Sequence, residues 1–247
     1  MSHAPAMHRS IAIADPAQFT EPPVIIGGCA RSGTTLLISI LSCHPRIYTI
    51  PYETQLLCVG AFDQPPNCRP PALADLYDDL CRLPVPETAR RWCEKTPRNA
   101  LCFAQIRKAL PDAKLVSLVR DGRDVCTSRH PGNPENYWVP AGRWLREINA
   151  TLDVPGVYTL RYEDLVLDYE ATVFKLLAWF GEDWDPALED YPAHAQITVS
   201  RAWAHDAIPL HDTGIGRWRQ QEHAGVLADF YAQPGTRETL ELLGYAA

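Results

Sequence analysis

Hydrophobic and polar positions along this chain alternate in blocks that switch between strand-like and helix-like spacing. The apolar run "PPVIIGG" (22–28) is short, uninterrupted and closed by glycines, which predicts a buried strand. "TTLLISILSCHP" then has the composition of a helix, stopped near His44-Pro45. A proline-rich stretch follows, with one amphipathic helix predicted around residues 72–82. "ALCFAQIRKALPD" (100–112) places apolar residues at helical spacing and leads into "AKLVSLVRDGRD", a second buried strand running into a turn and a helix start. "GVYTLRYEDL" (156–165) predicts a third strand, and "DYEATVFKLLAWFG" a helix that Gly181 is placed to end. "ETLELLGY" closes the series as a short helix.

Strands alternating with helices of this length predict a P-loop-like α/β fold, with a central parallel sheet covered by helices on both faces. In such sheets ligands sit beyond the carboxyl ends of the strands. Both "CARSGTT" and "RDGRD" fall there.

The 247 residues suit a single domain, read as 22–247 behind a flexible lead of residues 1–21. A net charge of −7 argues against a broad nucleic-acid surface, so any bound anion must be gripped locally. The first twenty-three residues contain no signal-peptide core, and no later run is long and apolar enough to span a membrane, so a cytoplasmic protein is expected. The eight cysteines, at 29, 43, 58, 68, 81, 93, 102 and 126, form no C-x-x-C. They are expected as free, buried or half-buried thiols. The histidines are dispersed, and "HDAIPLHD" has no metal-ligand geometry.

Gly28 to Thr35 spells G-x-x-x-x-G-T-T, a phosphate loop with threonine in place of the usual lysine. Its glycines and the helix beginning at Thr34 present backbone N–H groups to an anion. Arg31 adds a forked cation, and Thr34 and Thr35 add hydroxyls. Lacking the lysine that reaches β- and γ-phosphates, the loop suits one phosphate-like group. Arg120, ending the second strand, and Ser128, eight residues on, are placed to hold a second anion near the first. A kinase or nucleotide triphosphatase with a degenerate loop is the alternative enzyme class, and a non-catalytic nucleotide-binding protein a third.

"RSGTT", "EKTPRN", "VRDGRDVCTS", "RYEDL" and "GIGRWR" occur in the order seen in sulfotransferases that use 3′-phosphoadenosine 5′-phosphosulfate (PAPS). The chain resembles the bacterial branch of that family, itself similar to tyrosylprotein sulfotransferases, from about residue 22 onward. The resemblance implies that Arg31, Ser32, Gly33, Thr34 and Thr35 hold the 5′-phosphosulfate. It likewise assigns Arg120 and Ser128 to the 3′-phosphate, Tyr162 to the side of the nucleotide, and Gly216 and Arg217 to a loop closing over its 3′ end.

By the same resemblance the reaction is an in-line displacement at sulfur, without metal, yielding 3′,5′-adenosine bisphosphate and a sulfate ester. Glu53 of "PYET" is implied as general base, where the tyrosylprotein enzymes have E-E-T, and burial is expected to raise its pKa. Lys95 is implied beside the bridging oxygen of the leaving group, with Arg31 sharing in charge neutralisation. The acceptor hydroxyl, on a peptide tyrosine, a carbohydrate or a small metabolite, is left open, as is the oligomeric state. Segment 54–93 and a loop at 131–150 are expected to line the acceptor cleft.

Overall fold

A computed structural model of the chain describes residues 11–13, 15–130, 132–196 and 207–246. In chain order it contains β1 (Ile11–Ile13), β2 (Val24–Gly28), α1 (Thr34–Leu41), β3 (Ile47–Thr49), α2 (Leu73–Leu80) and β4 (Pro84–Pro86). Then come β5 (Arg91–Lys95), α3 (Asn99–Ala109), β6 (Lys114–Val119), α4 (Gly122–Cys126), β7 (Arg129–His130) and β8 (Asn133–Tyr137). The rest comprises α5 (Ala141–Leu152), β9 (Val157–Arg161), α6 (Tyr162–Leu167), α7 (Tyr169–Phe180), α8 (Tyr191–His194), α9 (Ala224–Ala232) and α10 (Thr236–Leu242).

Five strands form one parallel sheet in the order β3-β5-β2-β6-β9. β2, first of the five in sequence, lies at the centre, so the chain crosses it between β5 and β6 and opens a crevice at its carboxyl end. Strand periodicity divides the core. Val24, Ile26, Val116 and Leu118 pack with α1 and α7 through Leu37, Leu41, Leu176 and Phe180. Ile25 and Leu115 point the other way, onto Phe103 and Ile106 of α3 and Leu76 and Leu80 of α2. A third cluster joins Val119 and Val125 to Trp144, Ile148, Phe230 and Leu240, fixing α4 against α5, α9 and α10. The parallel sheet covered on both faces is therefore as the sequence predicts.

Three local expectations are corrected. The strand predicted over 156–165 ends at Arg161, and "YEDLVL" turns at once into α6. The loop expected over 131–150 contains β8 and most of α5, an amphipathic helix whose Trp144, Glu147 and Ile148 are buried. Cys68 and Cys102 are disulfide-bonded rather than free, because the chain between Leu56 and Ala72 folds back onto α3 and brings their Cα atoms within 5.5 Å. Within the lead, Ile11–Ile13 pair antiparallel with β4.

β5 is charged yet buried, since each ionic side chain has partners. Arg91 donates from Nε to Glu182 Oε1 (2.8 Å), from Nη1 to the Pro22 carbonyl (2.9 Å) and from Nη2 to the Phe180 carbonyl (3.0 Å). Glu182 also accepts from Arg46 Nε at 2.7 Å. Burying such a pair gains little net, but removing one partner strands the other.

Substituting Glu182→Ala should therefore lower unfolding free energy by about 3–5 kcal/mol, read as a shift of the denaturant midpoint. Gly33 and Gly181 both have positive φ, 94° and 85°, but a Cβ on Gly33 would meet Tyr162 Cδ2 at 2.5 Å whereas one on Gly181 meets nothing within 4 Å. Gly181→Ala should cost about 1 kcal/mol from the backbone alone, and Gly33→Ala distinctly more. Equal losses in the two melts would mean that Tyr162 does not pack on this loop.

Candidate functional site

Each of the five parallel strands delivers chemistry at its carboxyl end. β2 runs into the loop 29–33 and α1; β3 leads toward Glu53; β5 ends in Lys95; β6 is followed by Arg120; β9 is followed by Tyr162. These groups line one cleft of about 1210 Å³, together with Thr34, Thr35, Asp124, Ser128, Gly214 and Arg217.

The loop is shaped by unusual backbone. Arg31 adopts φ 71° although it is not glycine, and Gly33 caps α1 in the left-handed region. Holding a non-glycine residue there costs of the order of 1–3 kcal/mol, a strain that concentrates at functional turns. The first N–H groups of α1 have no partner inside the helix. Ser32 is fully buried, and its Oγ has no hydrogen-bond partner; nor do the buried Nε atoms of Arg31 and Arg120.

Arg120 is held from two sides. Its Nη1 donates to the Arg31 carbonyl at 2.9 Å and its Nη2 to the Gly214 carbonyl, while Tyr162 lies under the guanidinium, 4.4 Å from ring centre to Cζ. The "RSGTT" loop, the strand-end arginine, the "RYEDL" tyrosine and the "GIGRWR" loop thus meet at one point. Desolvation lowers the pKa of Arg31, and the neighbouring cations Arg120 and Arg217 lower it further. Positive charge is concentrated here. None of the three arginines has a carboxylate within ion-pair distance among the described residues.

Ser128 lines the same cleft, with its hydroxyl donating back to the Asp124 carbonyl at 2.7 Å. Asp124 escapes sequence reading. Its carboxylate accepts from the backbone N–H of Gly216 (2.7 Å) and of Trp218 (3.0 Å), tying the late loop to α4 across 92 and 94 residues of sequence. Burial raises its pKa, against which the two N–H donors and Arg120 act. In "RDGRDVCTS" it reads as one more surface acid, and only the contact with a remote glycine-containing loop reveals it.

Lys95 Nζ donates to Glu53 Oε1 at 2.6 Å, so the two residues assigned to the transfer chemistry are in contact. Lys95 is buried and Glu53 is 41% exposed, which corrects the expectation that Glu53 is buried. Glu94, the residue before Lys95, is engaged elsewhere. Glu94 is fully buried and accepts from Thr54 N and Oγ1, Thr96 Oγ1 and Asn99 Nδ2 at 2.6–3.1 Å. That network pins the segment carrying Glu53 to β5. Glu94 and Asn99 are absent from the sequence-derived site because they act only through this fixing of their neighbours.

Of the segment 54–93 expected at the acceptor side, Gln55 and Phe62 line the cleft; from 131–150, Gly132, Trp138 and Arg143 do. Trp203 lies outside the described residues. Among the described residues no group of three or more His, Cys, Asp or Glu is arranged to hold a metal, and no helix is long and apolar enough to cross a membrane.

A model of the sulfotransferase family matches residues 22–70 and 62–186. A putative protein-tyrosine sulfotransferase of Caenorhabditis briggsae is 30% identical over 122 residues, 44% of this chain and 42% of that protein. An uncharacterized protein of Aquifex aeolicus is 21% identical over 238 residues, 82% of this chain and 31% of the relative. The chain thus spans less than half the length of these relatives. Among solved structures, the sulfotransferase domain of the Synechococcus PCC 7002 olefin synthase superposes with a TM-score of 0.64 at 21% identity, covering 92% of this chain and 96% of that one. The sulfotransferase domain of the curacin biosynthetic pathway gives 0.65 at 19%, covering 91% and 98%. With its glycine-containing loop after β2, the strand-end arginine and the late loop gathered at one crevice, and with the family model matched across the whole sheet, the chain belongs to the sulfotransferase family.

Proposed function

We propose that this protein transfers the sulfuryl group of PAPS to a hydroxyl acceptor. The observation that supports this reading most directly is the convergence of Arg31, Arg120 and Arg217, with buried polar atoms that lack partners, beside the Glu53–Lys95 pair in a single cleft. A donor with two separate anionic ends fits that arrangement better than a single phosphate does. PAPS supplies a sulfuryl group already activated by its bond to a phosphate.

The chain's own residues do the rest by placement and charge. Ser32, Gly33, Thr34 and Thr35 would offer N–H and hydroxyl donors to the 5′ end, with Arg31 above them; Arg120, Ser128 and the loop of Gly216 and Arg217 would hold the 3′ end. Such transfers are governed by alignment and neutralisation more than by covalent help. Lys95 engages Glu53 Oε1 and leaves Oε2 as an acceptor for the proton of an incoming hydroxyl. Its ammonium would offset charge growing on a leaving oxygen, together with Arg31. Thr34 stands where a nucleotide triphosphatase has its lysine, which disfavours ATP as donor.

Glu53→Gln should lower the rate of labelled sulfuryl transfer from PAPS to a panel of phenols, sugars and small alcohols by roughly 10²–10⁴-fold, leaving affinity for 3′,5′-adenosine bisphosphate within about threefold. Wild-type activity in that variant removes Glu53 as the base. Tight magnesium-dependent ATP binding, with none for the bisphosphate, overturns the donor assignment. Asp124→Asn keeps the shape but can accept with one oxygen only. Losing a charge-assisted bond of about 1.5–3 kcal/mol, it should weaken bisphosphate binding in calorimetry by roughly tenfold or more.

A further inference from the structure

Two cations of the cleft wall have no part in holding the donor. Arg98, at the start of α3, and Arg143, on the first turn of α5, both line the cleft and are held in place by their surroundings. Arg98 donates from Nη1 to the Ala61 carbonyl at 2.7 Å, and its guanidinium lies 4.6 Å from the centre of the Phe62 ring. Arg143 donates from Nε to Glu147 Oε1 at 2.8 Å, and Glu147 is fully buried. Among the described residues, each therefore gives one N–H of a possible five to the protein.

An arginine on a loop-covered wall can serve structure alone, and Arg98 does tether the segment around Ala61. That role needs one donor and no second cation. Yet Arg98 is destabilised as a cation by desolvation and then by Arg143, with Glu147 acting the other way. Arg143 is ion-paired with Glu147, whereas no carboxylate lies within ion-pair distance of Arg98 among the described residues. The residues that hold this pair, Ala61, Phe62 and Glu147, differ from those that hold Arg120, which are Arg31, Gly214 and Tyr162. A protein of net charge −7 has gathered a surplus of positive charge at a second point of the same cleft.

We propose that the acceptor carries, besides its hydroxyl, an anionic group, a carboxylate or a phosphate, which Arg98 and Arg143 hold. Phe62 and Trp138, both lining the cleft, would flank the body of such a molecule. Forked guanidinium donors match the paired oxygens of either anion. The arrangement selects among alcohols and phenols by charge, and it rests on the reading of the cleft as a sulfotransferase site.

The test uses wild-type protein saturated with 3′,5′-adenosine bisphosphate, titrated in a calorimeter with 4-hydroxyphenylacetate, its neutral amide and 4-hydroxybenzylphosphonate. At least one anionic probe should bind ten times more tightly than the amide, and whichever does names the anion. In Arg98→Gln, which keeps a donor for Ala61 but not the charge, that preference should fall to within twofold, with bisphosphate affinity unchanged. Equal or absent binding of all three probes to wild type overturns the proposal, as does a preference that survives in Arg98→Gln through an anion lodged at Arg31. Should Arg98→Gln fail to fold, raising salt from 50 to 500 mM must erase the wild-type preference; a preference insensitive to salt counts against the proposal. If wild type binds no bisphosphate, the donor reading fails separately, and the same titrations without nucleotide still decide the subsite.

Discussion

Like charges held together are the constraint from which the rest of this structure follows. Arg31, Arg120 and Arg217 influence one another in a partly desolvated crevice, and among the described residues no carboxylate is in ion-pair contact with them. Bare, that arrangement costs stability through repulsion and lost hydration. It is tolerated because the sheet around it is rigid, buried on both faces and anchored by apolar side chains that do not yield. The surrounding core supplies the stability that offsets this repulsion.

The carboxylates near the crevice are engaged in ways that keep them out of its centre. Asp124 is committed to two backbone N–H groups, Glu94 to four donors, and Glu53 to Lys95. A free acid among the arginines would neutralise the site from within. Charge is thus segregated within one cavity: a cluster of arginines at one place, and the Glu53–Lys95 acid–ammonium pair at another.

Much of the fold was legible in sequence because the central strands declare themselves. Val24 to Ile26 and Leu115 to Val119 are unbroken apolar runs, as strands buried on both faces must be. β5 did not, since Arg91, Glu94 and Lys95 look like surface residues until Glu182, Asn99 and Glu53 arrive from elsewhere in the chain. β3 is three residues long and has too few positions to carry a period. The donor loops could be read because glycine, arginine and hydroxyl residues occur in tight local patterns. Asp124, Arg98 and the Cys68–Cys102 bond could not, because each acquires meaning only from a contact with residues distant in sequence. The exposure of Glu53 was missed for a related reason. Its neighbour Thr54 is drawn in by Glu94, and Glu53 itself is left at the rim.

The docking of the late loop on α4 carries a consequence for how the site comes into being. Gly214 and Gly216 reach Arg120 and Asp124 across more than ninety residues, so the crevice has no local precursor. An intermediate with the five parallel strands already aligned would hold the apolar contacts of the sheet and still lack the wall that this loop adds to the cleft. The completed cleft is therefore a product of long-range contacts, and detaching this loop would part Gly214 from Arg120 and Gly216 from Asp124 together.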